Sequence, residues 1–176
     1  VLGIWKPVSI KAWDDIKFTG IFIKQKKLNE KIAELSIEVS IESDIEQEIT
    51  LSITVSNKSI STNINVKKGF HSYSIPHEIK NPRLWWTHNL GKPHLYQFDF
   101  NLSINGKTRD TKTINKGIRT IELVTEKDSK GESFYFKLNG VAVYMKGANY
   151  IPQNSFQNKV TDTHYQKLLN DVVLAN

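Results

Sequence analysis

Apolar and polar residues alternate with period two along most of this chain. Ala33, Leu35, Ile37, Val39 and Ile41 are apolar, and Glu34, Ser36, Glu38, Ser40 and Glu42 lie between them. Successive side chains of an extended chain point to opposite faces, so the segment predicts one long strand with a buried face and a wet face. After a turn at Ser43-Asp44 the pattern resumes in Ile49, Leu51, Ile53 and Val55, set against Thr50, Ser52 and Thr54. Asn57-Lys58-Ser59 interrupts it, and Ile60, Ile64 and Val66 predict a shorter strand. Tyr96, Phe98, Phe100, Leu102 and Ile104 predict another, closed by the hairpin signal Asn105-Gly106. With runs at 16–23, 70–75 and 108–114 there are about seven strands in roughly a hundred residues, the pattern of an immunoglobulin-like antiparallel β-sandwich. The predicted sandwich covers residues 13–117, and nothing in it has helical period.

Beyond Gly117 the pattern changes. Phe134, Phe136 and Leu138 alternate up to Asn139-Gly140, and Val141, Val143 and Met145 alternate after it, which predicts a tight β-hairpin. Near the end, Tyr165, Leu168, Leu169, Val172 and Val173 fall on one stripe of a helix. Thr161 or Asp162 is placed to cap it, since a side-chain oxygen there accepts an otherwise unpaired N–H of the first turn. A lone helix with so wide an apolar stripe needs a partner surface. The expected partners are the sandwich, the hairpin or the same helix in a second copy of the chain, giving a dimer.

Composition narrows the chemistry. The 176 residues include no cysteine, which excludes disulfides, thiolate metal sites and cysteine nucleophiles. The histidines, at 71, 77, 88, 94 and 164, form no pair at helical ligand spacing, so no metal site is predicted. The formal charge of +6 invites a nucleic-acid reading. However, the dense basic clusters, Lys24-Gln25-Lys26-Lys27 and Lys67-Lys68, sit beside turns, and acids such as Glu42, Asp44, Glu46 and Glu48 interleave elsewhere. A mixed, solvated surface accounts for this, and no nucleic-acid partner is expected. No apolar run reaches the roughly 18 residues of a membrane span. The opening Val1-Leu2-Gly3-Ile4-Trp5-Lys6-Pro7 has neither a basic nor an apolar leader region, and no compartment is assigned. Asn57-Lys58-Ser59 and Asn101-Leu102-Ser103 fit the glycosylation sequon.

Four separated motifs, in order, resemble the middle of a β-mannosidase-type enzyme of glycoside hydrolase family two. Gly3-Ile4-Trp5-Lys6-Pro7-Val8 with Ala12-Trp13 resembles the exit from that family's N-terminal sugar-binding jelly-roll domain, which assigns its tail to residues 1–12. Asn81-Pro82-Arg83-Leu84-Trp85-Trp86 and Leu90-Gly91-Lys92-Pro93-His94-Leu95-Tyr96 resemble the crossing loop late in its immunoglobulin-like domain. Gly117-Ile118-Arg119-Thr120-Ile121-Glu122-Leu123, with Phe136 through Gly140, is similar to the approach to its barrel. Lys146-Gly147-Ala148-Asn149-Tyr150-Ile151-Pro152, with Ser155-Phe156, looks like the first barrel strand and the loop after it. The resemblance thus implies a mainly β chain: the sandwich, then a hairpin, one strand and one helix from the start of a (β/α)8 barrel at 118–176. A β-galactosidase would carry a histidine-rich segment after the equivalent Gly and Asn. Two positions depart from the family pattern, which usually has Trp at Tyr150 and Asp at Asn154.

Retaining glycoside hydrolysis needs two carboxyl groups about 5–5.5 Å apart. In the family these are glutamates on later barrel strands, so the resemblance places them beyond residue 176 and assigns no catalytic residue here. The chemistry calls for no cofactor. Asn149 and Tyr150 stand where the first barrel strand would end, the side on which barrel enzymes bind substrate. The resemblance therefore implies them as substrate-binding residues, the ring stacking on a sugar and the amide bonding a hydroxyl. The implied partners are a glycan bearing terminal β-D-mannose and the other domains of the parent protein. Trp85 and Trp86 are expected as one buried ring and one covering a domain junction, with Trp5 and Trp13 also at a junction. Two other readings stay open: the same architecture acting as a β-galactosidase, β-glucuronidase or exo-β-glucosaminidase, or a stand-alone carbohydrate-binding or adhesive sandwich.

Overall fold

The computed structural model describes residues 3–4 and 6–175, so Trp5 lies outside the described residues. Seven strands form the main body: β1 Ile16–Leu28, β2 Ile32–Ser43, β3 Gln47–Val55, β4 Lys58–Val66, β5 Gly69–Lys80, β6 Tyr96–Ile104 and β7 Lys107–Lys116. They pair antiparallel into two sheets, ordered β1-β2-β5 and β4-β3-β6-β7. The connections β2–β3, β4–β5 and β5–β6 each pass from one sheet to the other, which makes an immunoglobulin-like sandwich.

The alternating segments became the strands because one face of each could be buried. Ala33, Leu35, Ile37, Val39 and Ile41 of β2 meet Ile49, Leu51, Ile53 and Val55 of β3 and Phe98, Phe100 and Leu102 of β6 in a single core. Outward residues of neighbouring strands pair through hydroxyls, as in Ser40–Ser72, Ser52–Ser61 and Thr54–Ser59. Two-residue turns at Ser56-Asn57 and Asn105-Gly106 hold positive φ at both positions, as the twist of a tight hairpin demands. One open side of the sandwich is laced shut, since Asp110 of β7 accepts the Phe18 N–H of β1 at 2.8 Å and Arg109 pairs with Asp15 at 3.0 Å.

The predicted hairpin forms as β9 Tyr135–Leu138 and β10 Val141–Val143 around Asn139-Gly140, where both φ angles are positive. A strand that the pattern did not predict, β8 Ile121–Val124, pairs with β9 and makes a three-stranded sheet. Its sequence, Ile121-Glu122-Leu123-Val124, is too short for alternation to show.

The chain divides into two compact units, Ala12–Met145 and a second that joins Val1–Lys11 to Lys146–Asn176. In the second, a short 3-10 turn at Gln157–Lys159 precedes α1, Asp162–Leu174, the predicted helix. Two expectations need correction here. The segment expected as the first barrel strand, Lys146-Gly147-Ala148-Asn149-Tyr150-Ile151-Pro152, makes no strand pairing. A parallel strand exists only through neighbours that accept and donate its backbone hydrogen bonds. The helical stripe was expected to be covered, yet Leu169, Val172 and Val173 are 61–66% exposed, and only Leu168 is partly covered. No helix of the described chain is long and apolar enough to cross a membrane.

Candidate functional site

Sequence reasoning pointed to the segment around Asn149 and Tyr150, and the structure supplies its supports. Tyr150 lies beside Tyr165 in the first turns of α1, ring centroids 6.3 Å apart and planes tilted by 55°. Both rings stay about half exposed, so each keeps a free face, and Asn149 is exposed beside them. Tyr165 read in the sequence only as part of a core stripe; its role as partner of Tyr150 depends on how the loop folds back.

The loop returns through local bonds. Asn154 Oδ1 accepts the Phe156 N–H at 2.9 Å, a side-chain-to-backbone turn that sets up the 3-10 turn after it. Aspartate offers the same acceptor, so the departure from the family at Asn154 keeps this function. Thr161 is the N-cap of α1. Its N–H donates to His164 Nδ1 at 3.1 Å, and its hydroxyl lies 2.8 Å from the same nitrogen, a capping box in which histidine takes the usual place of glutamate or glutamine. Asp162, also considered as the cap, sits inside the first turn.

A second constellation fixes where the sandwich hands over to the β8–β10 sheet. The crossing loop between β5 and β6 is tied down by Tyr96, whose hydroxyl accepts the Arg83 N–H at 2.8 Å, in the manner of a tyrosine corner. Trp85 donates its N–H to Ile118 O at 2.9 Å, and its carbonyl accepts from Asn139 Nδ2 at 3.0 Å. Asn139 also accepts the Thr120 N–H at 2.9 Å through Oδ1. Gln25 of β1 bonds both backbone groups of Arg119, whose guanidinium lies 4.6 Å above the Trp85 ring. Trp85 and Trp86 are both half-buried, so the expected division into one buried and one covering ring does not hold. Each indole lies against a glycine instead, Trp85 on Gly117 and Trp86 on Gly91. Trp13 remains partly exposed with the Lys17 ammonium 3.1 Å above its ring.

Several acids of the sandwich have structural partners. Glu42 pairs with Lys17 at 2.6 Å, Asp15 with Arg109, and Asp110 with the Phe18 N–H. Hydrogen bonds from Thr113 and then from Gln97 hold Asp99 below the usual carboxylate range. Among the described residues no three His, Asp or Glu side chains cluster as a metal site. Of the two sequons, Asn57 is exposed in its turn, while Asn101 has its side-chain oxygen buried.

Comparison with known proteins matches this architecture to one family. Residues 16–119 match the model of glycosyl hydrolases family 2. The chain is 33% identical over 99% of its length to the β-mannosidase of Bos taurus, of which it covers 21%. The solved β-D-mannosidase of Dictyoglomus thermophilum superposes with a TM-score of 0.82 over 91% of this chain and 20% of that one, at 32% identity. An exo-chitosanase of Amycolatopsis orientalis shares the fold at 20% identity and a TM-score of 0.74 over 92% of this chain and 19% of that one. The chain belongs to glycosyl hydrolases family 2. It spans about a fifth of the length of the β-mannosidases it resembles.

Proposed function

We propose that this chain is the immunoglobulin-like domain and barrel approach of a retaining β-mannosidase that removes terminal β-D-mannose from glycans. The observation that supports it is continuity: the likeness to a β-mannosidase runs through 99% of the chain, beyond the sandwich into the loop and helix that follow. A stand-alone adhesive sandwich has no need of that continuation. The exo-chitosanase shares the fold alone, so the sandwich by itself does not choose the sugar.

In this reading residues 1–12 are the tail of a sugar-binding jelly-roll domain, 13–117 the sandwich and 118–176 the start of the catalytic barrel. The two catalytic glutamates belong to later barrel strands of the parent. Asn149 and Tyr150 contact the sugar, the ring stacking on an apolar sugar face while Tyr165 steadies it from behind. The exposed stripe of α1 packs against the rest of the barrel, or against the α1 of a second copy when the chain stands alone. The sandwich carries the barrel approach through the bonds of Trp85, Ile118 and Asn139. Expression of the full-length parent and assay on aryl glycosides tests the reading, with hydrolysis of the β-mannoside expected and its failure beside activity on another glycoside counting against it.

A further inference from the structure

The side of the sandwich bounded by β4 and β5, the edge strands of the two sheets, carries an open cleft of about 420 Å3. It is walled by the β3–β4 turn, the end of β5, the start of the crossing loop and the start of β6. That volume lies within the range of small-ligand sites. Its charged lining is Lys58, Lys80 and Arg83 against a single acid, Glu78. The salt bridges among the described residues are Lys17–Glu42 and Asp15–Arg109, so none of the three cations is ion-paired, and Glu78 offsets only part of their charge. Three cations from two chain segments, Lys58 on one and Lys80 with Arg83 on the other, line one concave wall and focus a positive field that a flat surface would dissipate.

The same wall is rich in neutral donors. Ser56 and Asn81 contribute a hydroxyl and an amide. The Tyr96 hydroxyl accepts the Arg83 N–H, which leaves its own proton to donate. His94 packs edge-on against Tyr96 with centroids 4.7 Å apart, and burial followed by the Arg83 charge pushes its ring pKa down. Burial lowers His77 as well, with Glu78 opposing. Both shifts favour the neutral imidazole, which carries one N–H donor. Cations beside neutral N–H and O–H donors suit an oxyanion carried on a polyhydroxylated body.

We propose that this cleft binds the acidic substituent of a glycan, a carboxylate or a sulfate or phosphate ester, with Lys58, Lys80 and Arg83 as its clamp. The sugar carrier rests on the reading that the chain belongs to a glycan-processing enzyme; the anion preference does not.

The 15N-labelled chain, titrated with glucuronate, mannose 6-sulfate, neutral mannose and inorganic sulfate while amide shifts are followed, tests the proposal. Saturable shifts at Lys80, Asn81 and Arg83 are expected with the two acidic sugars, bound more tightly than inorganic sulfate, and not with mannose. The exposed double variant Lys80→Gln/Arg83→Gln should weaken binding about tenfold or more, whereas Lys107→Gln on the far hairpin should not. Lys58→Gln, at the start of β4, should weaken it independently. Absent shifts, equal affinity for inorganic sulfate, equal binding of mannose, or variants that bind like the parent chain would each overturn the proposal. None of these results bears on which aryl glycoside the full-length enzyme cleaves, so the two readings fail separately.

Discussion

The indole of Trp85 lies so close to Gly117 that a Cβ on that glycine would sit 2.9 Å from Trp85 Cγ. That is inside any normal carbon–carbon contact, and the ring has little room to move because Arg119 covers its face and Ile118 binds its backbone. Gly117→Ala is therefore expected to destabilise the chain by about 1–3 kcal/mol, the scale of an overpacked site. Thermal or urea unfolding of the variant measures it, and an unchanged midpoint would show that the ring yields freely.

Tyr96→Phe removes one hydroxyl and leaves the Arg83 N–H without its acceptor. A loss of about 1–1.5 kcal/mol is expected in urea unfolding with little change in the slope, because the core stays intact. A neutral substitution would mean that the corner is held by packing alone.

Asn139 does three jobs in one turn: it tolerates a φ of 50°, accepts the Thr120 N–H and donates to the Trp85 carbonyl. Asn139→Gly keeps the first and loses the others, so about 1–3 kcal/mol should vanish locally. Hydrogen exchange should speed up across β8–β10 while β2, β3 and β6 keep their protection. Uniform loss of protection would contradict a local hinge role.

His77 gives a pH dependence with a definite sign. Its ring packs edge-on against buried Phe98, and its pKa in the fold is lowered, chiefly by burial. Above the unfolded value, near 6.5, the ring is neutral in both states and imposes no penalty. As the pH falls below about 6.5 the unfolded chain takes up the proton first, so stability should decline with falling pH through that window. His77→Gln should flatten this part of the stability–pH curve. An equally steep curve in the variant would place the effect elsewhere.

The exposed stripe of α1 predicts association. Leu169 and Val173 are 63% and 66% exposed, and burying such side chains is worth roughly 1.5–3 kcal/mol each when complete. Sedimentation of the isolated chain should show a concentration-dependent dimer, abolished by Leu169→Lys/Val173→Lys without loss of sandwich stability. A monomer at all concentrations would rule out self-association through this face.

The sandwich was legible where a strand has one dry face: Ala33 to Ile41 in β2, Ile49 to Val55 in β3 and Tyr96 to Leu102 in β6 alternate in sequence because they alternate in burial. The helix was equally legible, since its stripe and its Thr161 cap are local. The missing strand at Lys146–Pro152 was not legible, because strand formation depends on partners that local pattern does not contain. Nor were the contacts of Trp85 with Gly117 and of Tyr150 with Tyr165, which join residues brought together by loops. The basic cleft escaped for the same reason: Lys58, Lys80 and Arg83 are isolated charges until the turn, the strand end and the crossing loop meet.

For the candidate site the expected outcome concerns the parent enzyme. Tyr150→Ala should weaken transition-state binding by about 1–3 kcal/mol, the scale of a lost aromatic contact with a hydrogen bond. Tyr165→Ala, which removes only the backing ring, should cost less. If kcat/KM is unchanged while stability falls, Tyr150 serves packing alone.

The most direct measurement is a side-by-side assay of the full-length parent and of this chain on aryl β-mannoside, β-galactoside, β-glucuronide and β-glucosaminide. The account predicts that the parent hydrolyses the β-mannoside with the highest kcat/KM and releases β-mannose with retained configuration, while the chain alone stays at the buffer rate on all four. Preference of the parent for another glycoside, or hydrolysis by the chain that is lost on mutating one of its own acids, would contradict it.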